Sequence, residues 1–284
     1  KCDWSSDVAL PISLIAGILQ KTDTEFTAHT MGYQRTGELG DRAWPLDEEL
    51  KIAKHTCKEL GIKQNVALFP ENQELIDTLK VETIETAGTV LEDNYRMMPR
   101  YLLLEEVANK GGKVVLTGDG GDEIFTGYQL HRVWLEEGMP TSEDVVAYMK
   151  QVDLGSWFPM SCVKNADAAT ALMFMKLLTQ CETYLLRLDA FGGEHSLEVR
   201  VPLLYQDLVK YSMRLPLSVK LQYTDKDYKG INKYLIREAF ADVIPDKVRY
   251  RKMKVGWSLP WWRNDMKKQR QRKKADRELL KELM

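Results

Sequence analysis

The sequence has little excess charge of either sign. Its 284 residues carry 40 Lys and Arg against 42 Asp and Glu, a formal net charge of −2. A dedicated nucleic-acid binder needs a basic surplus, so this balance argues against one. Long apolar runs are missing too. None approaches the ~18 residues that would span a bilayer, and Lys1 does not open a secretory pattern. The four cysteines (Cys2, Cys57, Cys162, Cys181) stand far apart with no CxxC pair. That excludes a disulfide scaffold and fits a reduced, cytoplasmic protein. The four histidines (His29, His55, His131, His195) are equally scattered, which speaks against a zinc site. What is left is an ordinary globular composition, 44% hydrophobic and 29% charged, enough for one large or two moderate domains.

Short apolar runs alternate with amphipathic ones through the first part of the chain. Asp7–Ser13 reads as a buried strand and Leu14–Lys21 as a helix. Glu25–Tyr33 reads as a second strand. Over Leu46–Gly61 the residues Leu50, Ala53, Cys57 and Leu60 share one helical face, with Gly61 suited to the C′ position. Asn65–Phe69 reads as a third strand, followed by a helical stretch opened by Pro70. A long helix is expected over Gly88–Lys110, bent near Pro99, and a fourth strand over Lys113–Thr117. Such alternation implies an α/β fold with a parallel sheet flanked by helices, and ligands of such sheets bind at the carboxyl ends of strands.

Beyond Tyr128 the strand signal fades. The stretches 142–152, 166–191 and 231–244 are helical in period, and Met173 and Met175 fall at core spacing. The expected organisation is therefore an α/β core over 1–135, a mostly helical part over 136–265, and a basic tail over 266–284. The tail reads as a solvated helix, with weak anion or RNA binding as the alternative.

One stretch raises a chemical question. "KVVLTGDGGDEIFTGY" (Lys113–Tyr128) runs from a strand into a loop with glycines at 118, 120 and 121 and acids at Asp119, Asp122 and Glu123. Glycine-rich turns at helix starts offer bare N–H groups to phosphates. Acids would repel a phosphate, unless the loop also holds a divalent cation or uses a carboxylate chemically. Asp119 and Asp122 could also simply cap a helix.

This loop resembles the "SGEGSDELFGGY" signature of asparagine synthetase-like enzymes. Gly193–Leu204 ("GEHSLEVRVPLL") resembles that family's "ahslEaRvPFLD", and Ile231–Pro260 resembles its "gKyiLReAf…lP..i..R.K.GF..P", in the same order. The region around Ser13 is similar to the strand and helix of the family's ATP pyrophosphatase loop. The resemblance implies an adenine nucleotide alpha hydrolase-like core using ATP and Mg2+. Such enzymes adenylate a carboxylate, releasing pyrophosphate, and a nitrogen nucleophile then forms the amide. By that resemblance Ser13, Met31, Thr117, Gly118, Gly120 and Gly121 bind ATP and Asp122 holds magnesium. Asp119 takes the place of a glutamate in proton transfer, one methylene shorter. Lys254 stabilises negative charge at the phosphate and acyl centre. Glu198 and Arg200 read as a structural ion pair.

Three departures matter. Where the family has "SGGLDSS", Ser13 is followed directly by Leu14, so five or six residues read as absent. A strand entering a helix without a connection is sterically poor. A loop missing from the chain as read is therefore expected rather than a true loss, which would end ATP chemistry. The chain starts within the synthetase region, so Cys2 is no glutaminase nucleophile. Nitrogen would come from free ammonia, a glutaminase domain or partner, or an amine on the substrate. Finally, Pro202–Tyr205 reads "PLLY" for "PFLD" and Phe191–Gly193 reads "FGG" for "SMA", so the small-molecule or peptide carboxylate need not be aspartate. The reading is an amide synthetase acting on a separate nucleophile. The alternatives are an intramolecular cyclase of β-lactam synthetase or lasso-peptide type, and a catalytically inactive scaffold.

Overall fold

Three-residue strands carry too little chain to stand alone, and here they survive by being held between neighbours. The computed structural model describes residues 2–4, 10–33, 44–70, 72–88, 94–127, 170, 173–174, 177, 184–222 and 232–251. Two compact units divide the chain. The first comprises Lys1–Gly118, Leu185–Arg200 and Asp242–Met284, and the second Asp119–Tyr184 and Val201–Ala241.

The first unit holds a five-stranded sheet. Its strands are β1 (Cys2–Trp4), β2 (Phe26–Tyr33), β3 (Gln64–Phe69), β4 (Val114–Leu116) and β5 (Glu198–Arg200), in the order β3-β2-β1-β4-β5. Every pairing is parallel. In register, Trp4 stands beside both Ala28 and Leu116, and Leu116 beside Arg200. Helices α1 (Leu10–Lys21), α2 (Trp44–Glu59), α3 (Gln73–Ala87) and α4 (Asn94–Asn109) supply the crossovers that parallel strands require. The chain builds outward from β1 through β2 to β3, then returns to β4 on β1's other side. The strand order therefore reverses between β1 and β4, the arrangement that opens a crevice at the strands' carboxyl ends.

Helix ends follow residue chemistry. Asn72 caps α3, its side-chain oxygen accepting from the Leu75 N–H at 3.2 Å. Gly61, at φ +66°, lets the chain turn after α2, as expected. Ala53 and Cys57 are buried on α2, and burial pushes the Cys57 thiol up to about 12, so it stays protonated and inert.

Two expectations need correction, and one strand is added. Asp7–Ser13 is not a strand: the strand is Cys2–Trp4, and α1 begins at Leu10 and runs unbroken through Ser13 and Leu14. Ser13 and Leu14 therefore sit within one helix rather than at a strand-to-helix junction. The error has a physical source. Every residue of α1 from Leu10 to Gly17 is buried, and a helix apolar all round shows no periodicity by which to tell it from a buried strand. Pro11 fits the opening turn of a helix, where no hydrogen bond is lost. Gly88 ends α3 rather than starting the next helix. At φ 61° its N–H reaches the carbonyls of Ile84 and Glu85 at 3.0 and 3.1 Å. β5 was not anticipated, since three exposed or half-exposed residues carry little strand signal. In the expected helical stretch 166–191 every described residue, 170, 173–174, 177 and 184–191, is helical, and after α5 (Gly121–Ile124) its last part forms α6 (Leu186–Glu194).

The second unit contains α5, a 3-10 turn (Pro202–Leu204), and helices α7 (Gln206–Arg214), α8 (Leu217–Lys220) and α9 (Tyr234–Ala239). Its core includes Ile124, Phe125, Leu203, Leu221, Ile236 and Met173, the last as expected. Stretch 142–152, Met175 and the basic tail lie outside the described residues.

Helix α1 is pinned in the first unit by α10 (Asp246–Arg249) and the residues before it. Lys21 pairs with Asp242. A Cβ added at Gly17 would stand 2.5 Å from the Val243 carbonyl oxygen and 2.6 Å from its Cγ1. Gly17→Ala should therefore destabilise the protein by about 1–3 kcal/mol through overpacking, outweighing the ~1 kcal/mol gained in helix propensity. Urea unfolding would show it, and an unchanged or raised midpoint would refute the close approach.

Candidate functional site

The acidic loop begins in the first unit. Thr117 follows β4, and its N–H donates to the Arg200 carbonyl at 3.0 Å, extending the β4–β5 ladder by one residue. Its hydroxyl is buried and has no hydrogen-bond partner among the described residues. Gly118 then passes so close to α1 that a Cβ would meet Ile12 Cβ at 2.9 Å and Ile12 N at 3.0 Å. Beside Ile12 sits Ser13, fully buried, its hydroxyl likewise without a partner among the described residues. Met31 lies on β2 opposite Ala67, beyond the row that aligns Ala28, Trp4 and Leu116. The sheet thus brings the first turn of α1 against the Thr117–Gly118 strand end, and sets Met31 past the same row. Two buried hydroxyls without partners among the described residues thus lie at a strand-order reversal.

The loop continues in the second unit. Gly120 adopts φ +89°, and a Cβ there would stand 2.3 Å from Leu204 Cδ2, so no side chain fits. Gly121 opens the single turn of α5. Asp119 is half-exposed. Asp122 is largely buried, 17% exposed, and Lys233 Nζ lies 2.5 Å from its Oδ1. The Gly127 N–H returns to the Asp122 carbonyl at 2.9 Å, and Asn232 Nδ2 donates to the Gly127 carbonyl at 3.0 Å. Arg237 Nε in turn holds the Asn232 carbonyl at 2.8 Å. Ser212 donates its hydroxyl to the Ile124 carbonyl, tying α7 to α5.

Asn232 and Lys233 were missed from sequence. Both lie in the third motif, Ile231–Pro260, where attention fell on Lys254. Lys254 lies outside the described residues. Glu198 and Arg200 do pair, at 2.8 Å, on an exposed face of β5. Arg200 holds the Glu198 carboxyl below its ordinary range, a pairing that solvent screens.

Magnesium, implied by the resemblance, fits these residues poorly. No group of three His, Cys, Asp or Glu side chains gathers among the described residues. The first turn of α1 has no acid. Residues 5–9 read Ser-Ser-Asp-Val-Ala, without glycine and with Asp7 as their one acid. Asp122 already faces an ammonium.

The second motif also contains a half-buried imidazole. His195 ends α6 and packs edge-on to Tyr101, ring centroids 4.7 Å apart, while Tyr101 meets Phe191 at 5.3 Å. Burial lowers the His195 pKa, against the opposing pull of Glu194 and Glu82. The Glu82 carboxyl is raised, chiefly by burial and then by Glu105.

The asparagine synthase family profile matches residues 13–283. A protein of that class is therefore at hand, and the chain belongs to the asparagine synthase family. It is 24% identical to a probable glutamine-hydrolysing asparagine synthetase of Dictyostelium discoideum, over 78% of this chain and 34% of that protein. It is 24% identical to glutamine-hydrolysing asparagine synthetase 1 of Bacillus subtilis strain 168, over 89% of this chain and 46% of that protein. A third relative, asparagine synthetase 3 of the same bacterium, is 29% identical over 49% of this chain and 25% of its own. The chain thus spans less than half the length of these relatives. No helix among the described residues is long and apolar enough to cross a membrane.

His195 yields a prediction. Its folded pKa lies below the unfolded value of about 6.5, so the unfolded state binds the extra proton and stability falls as pH drops below that value. Glu82, raised, acts with the opposite sign above about 4.5. Urea midpoints should fall on acidification from about pH 7.5 to about pH 6, and His195→Gln should flatten that slope. An equal slope in the variant would remove His195 as its source.

Proposed function

We propose that this chain is an ATP-dependent, AMP-forming amide synthetase, in which a carboxylate is adenylated and then attacked by a nitrogen nucleophile. The observation that carries the reading is the pair of buried, unpartnered hydroxyls, Ser13 and Thr117, where the strand order reverses. Family membership supports the reaction class. In this reading the core is adenine nucleotide alpha hydrolase-like and the protein works in the cytoplasm. Met31, Thr117 and Gly118 receive the adenosine, where Gly118 lets backbone come close. Ser13, Gly120 and Gly121 serve the phosphates. A single-turn helix gives little dipole, so bare N–H groups rather than α5 itself would do the binding.

Asp119 moves the proton released by the attacking nitrogen, which its half-exposed carboxylate can accept. Lys254 stabilises charge developing at the phosphorus and acyl centres. The carboxylate is a small molecule or peptide. Its nitrogen comes from ammonia, from a glutaminase domain or partner such as the printed names of the relatives suggest for those proteins, or from an amine on the substrate. The last case makes the chain a cyclase.

A second reading has its own observation. The glycine-free residues 5–9 and the acid-free first turn of α1 favour a homologue that binds nucleotide without turning it over. Release of AMP and pyrophosphate that depends on an added carboxylate separates the two. Lys254→Ala should cost at least ~100-fold in turnover. No release from the unaltered protein with any carboxylate or peptide acid would leave only the second reading.

The hydroxyls give a test of binding alone. Ser13→Ala and Thr117→Val remove buried groups that lack partners, so the ligand-free protein should be as stable or more so. The same changes should weaken ATP binding about 2–10-fold if the hydroxyls meet the ligand. Lost stability with unchanged affinity would show that they serve the fold instead.

A further inference from the structure

We infer that Lys233 takes the place of a protein-held divalent cation at the acidic loop, so that nucleotide recognition by this chain does not require a metal. The inference rests on the nucleotide reading of the site and adds what neutralises its acid.

Lys233 is 6% exposed in its side chain and lies 2.5 Å from Asp122 Oδ1. An ammonium so placed forms an ion pair that offsets the carboxylate's charge. Magnesium demands a near-octahedral oxygen shell, keeps several waters, and ordinarily leans on one or two carboxylates plus substrate phosphates. Here the shell is contested from two sides. The ammonium would stand next to the incoming cation, like charge against like. Gly127 also packs against the pair, since a Cβ there would come within 1.5 Å of Asp122 Oδ1 and 2.6 Å of Lys233 Cε.

The pair is built in rather than a passing surface contact. Lys233 adopts φ 56°, a left-handed conformation that side chains avoid. The neighbouring residues hold it there: Asn232 grips the Gly127 carbonyl, and Arg237 grips the Asn232 carbonyl. Gly127 closes the ring by donating to the Asp122 carbonyl. Thr126, just before it, is also left-handed, at φ 59°. Strain on both sides of one ion pair points to a position that is over-determined by its surroundings. Nor do the other described residues offer a substitute, with no acid in the first turn of α1 and no three-ligand cluster.

The test measures ATP binding by calorimetry in EDTA and in magnesium, and Mn2+ binding to the nucleotide-free protein by electron paramagnetic resonance. Affinity for ATP should differ less than about threefold between the two conditions, well short of the tenfold that 1.4 kcal/mol represents. The unaltered protein should bind no Mn2+. ATP bound only with magnesium would overturn the inference and leave the nucleotide reading standing. ATP bound under neither condition would remove that reading and the inference with it. Mn2+ bound by the unaltered protein, through Asp7 or any other acid, would also overturn it.

Lys233→Met frees Asp122, so its ATP binding should strengthen at least tenfold with magnesium, a dependence lost again in Lys233→Met/Asp122→Asn. The double variant leaves no unpaired buried charge, and circular dichroism would establish that it folds. A folded Lys233→Met protein whose ATP affinity still ignores magnesium would show that Lys233 was not what kept the metal away.

Discussion

The parallel register of β1 against β4 is the constraint on which the first unit depends. Cys2–Trp4 and Val114–Leu116 are only three residues each, and more than a hundred residues separate them in the chain. Pairing them closes a large loop of chain, at an entropic cost that grows slowly with its length. The return comes from everything built around the pair. β2 and β3 extend the sheet on one side and β5 on the other. Val115 is wholly buried. Because Trp4 and Leu116 are level, the chain leaves both strands at the same edge. That places the first turn of α1 against Gly118, and so sets Ser13 near the start of the acidic loop.

The elements legible in the sequence were those whose local chemistry agreed with their final place. α2 shows its buried stripe and its terminal glycine at residue 61, and β2 its run of strand formers. Those that misled were decided by surroundings. α1 is apolar all round because it is buried all round, so nothing in its pattern separated helix from strand. β5 exists because β4 offers it an edge, and its own residues, Glu198, Val199 and Arg200, carry no comparable instruction. Gly88 reads in sequence as a beginning, and its left-handed conformation makes it an end.

The site divides in the same way. Thr117, Gly118 and Gly120 are legible through the resemblance of their loop to the family signature, and at the two glycines the chain packs on itself so closely that no side chain fits. The glycines are indeed where Ile12 and Leu204 come closest. Lys233 could not be found by spacing. Its partner is 111 residues earlier, and its distinguishing property is a backbone angle that no residue type announces. A glycine or asparagine would have suited that angle better, so the retention of a long cationic side chain there needs the ion pair as its explanation.

That pair resolves why a loop suited to phosphate is so acidic. The acids are not all available to repel an anion. Asp122 is neutralised by Lys233, and Glu123 is buried with its own interactions, leaving Asp119 as the half-exposed carboxylate of the three. An isolated buried carboxylate would be costly, and a buried pair that loses one member is destabilised by about 3–5 kcal/mol. The same arithmetic makes the pair hard for a metal to enter, since displacing the ammonium would leave a buried charge without its partner. The loop is therefore less acidic in effect than its sequence suggests, with Asp119 as its half-exposed carboxylate.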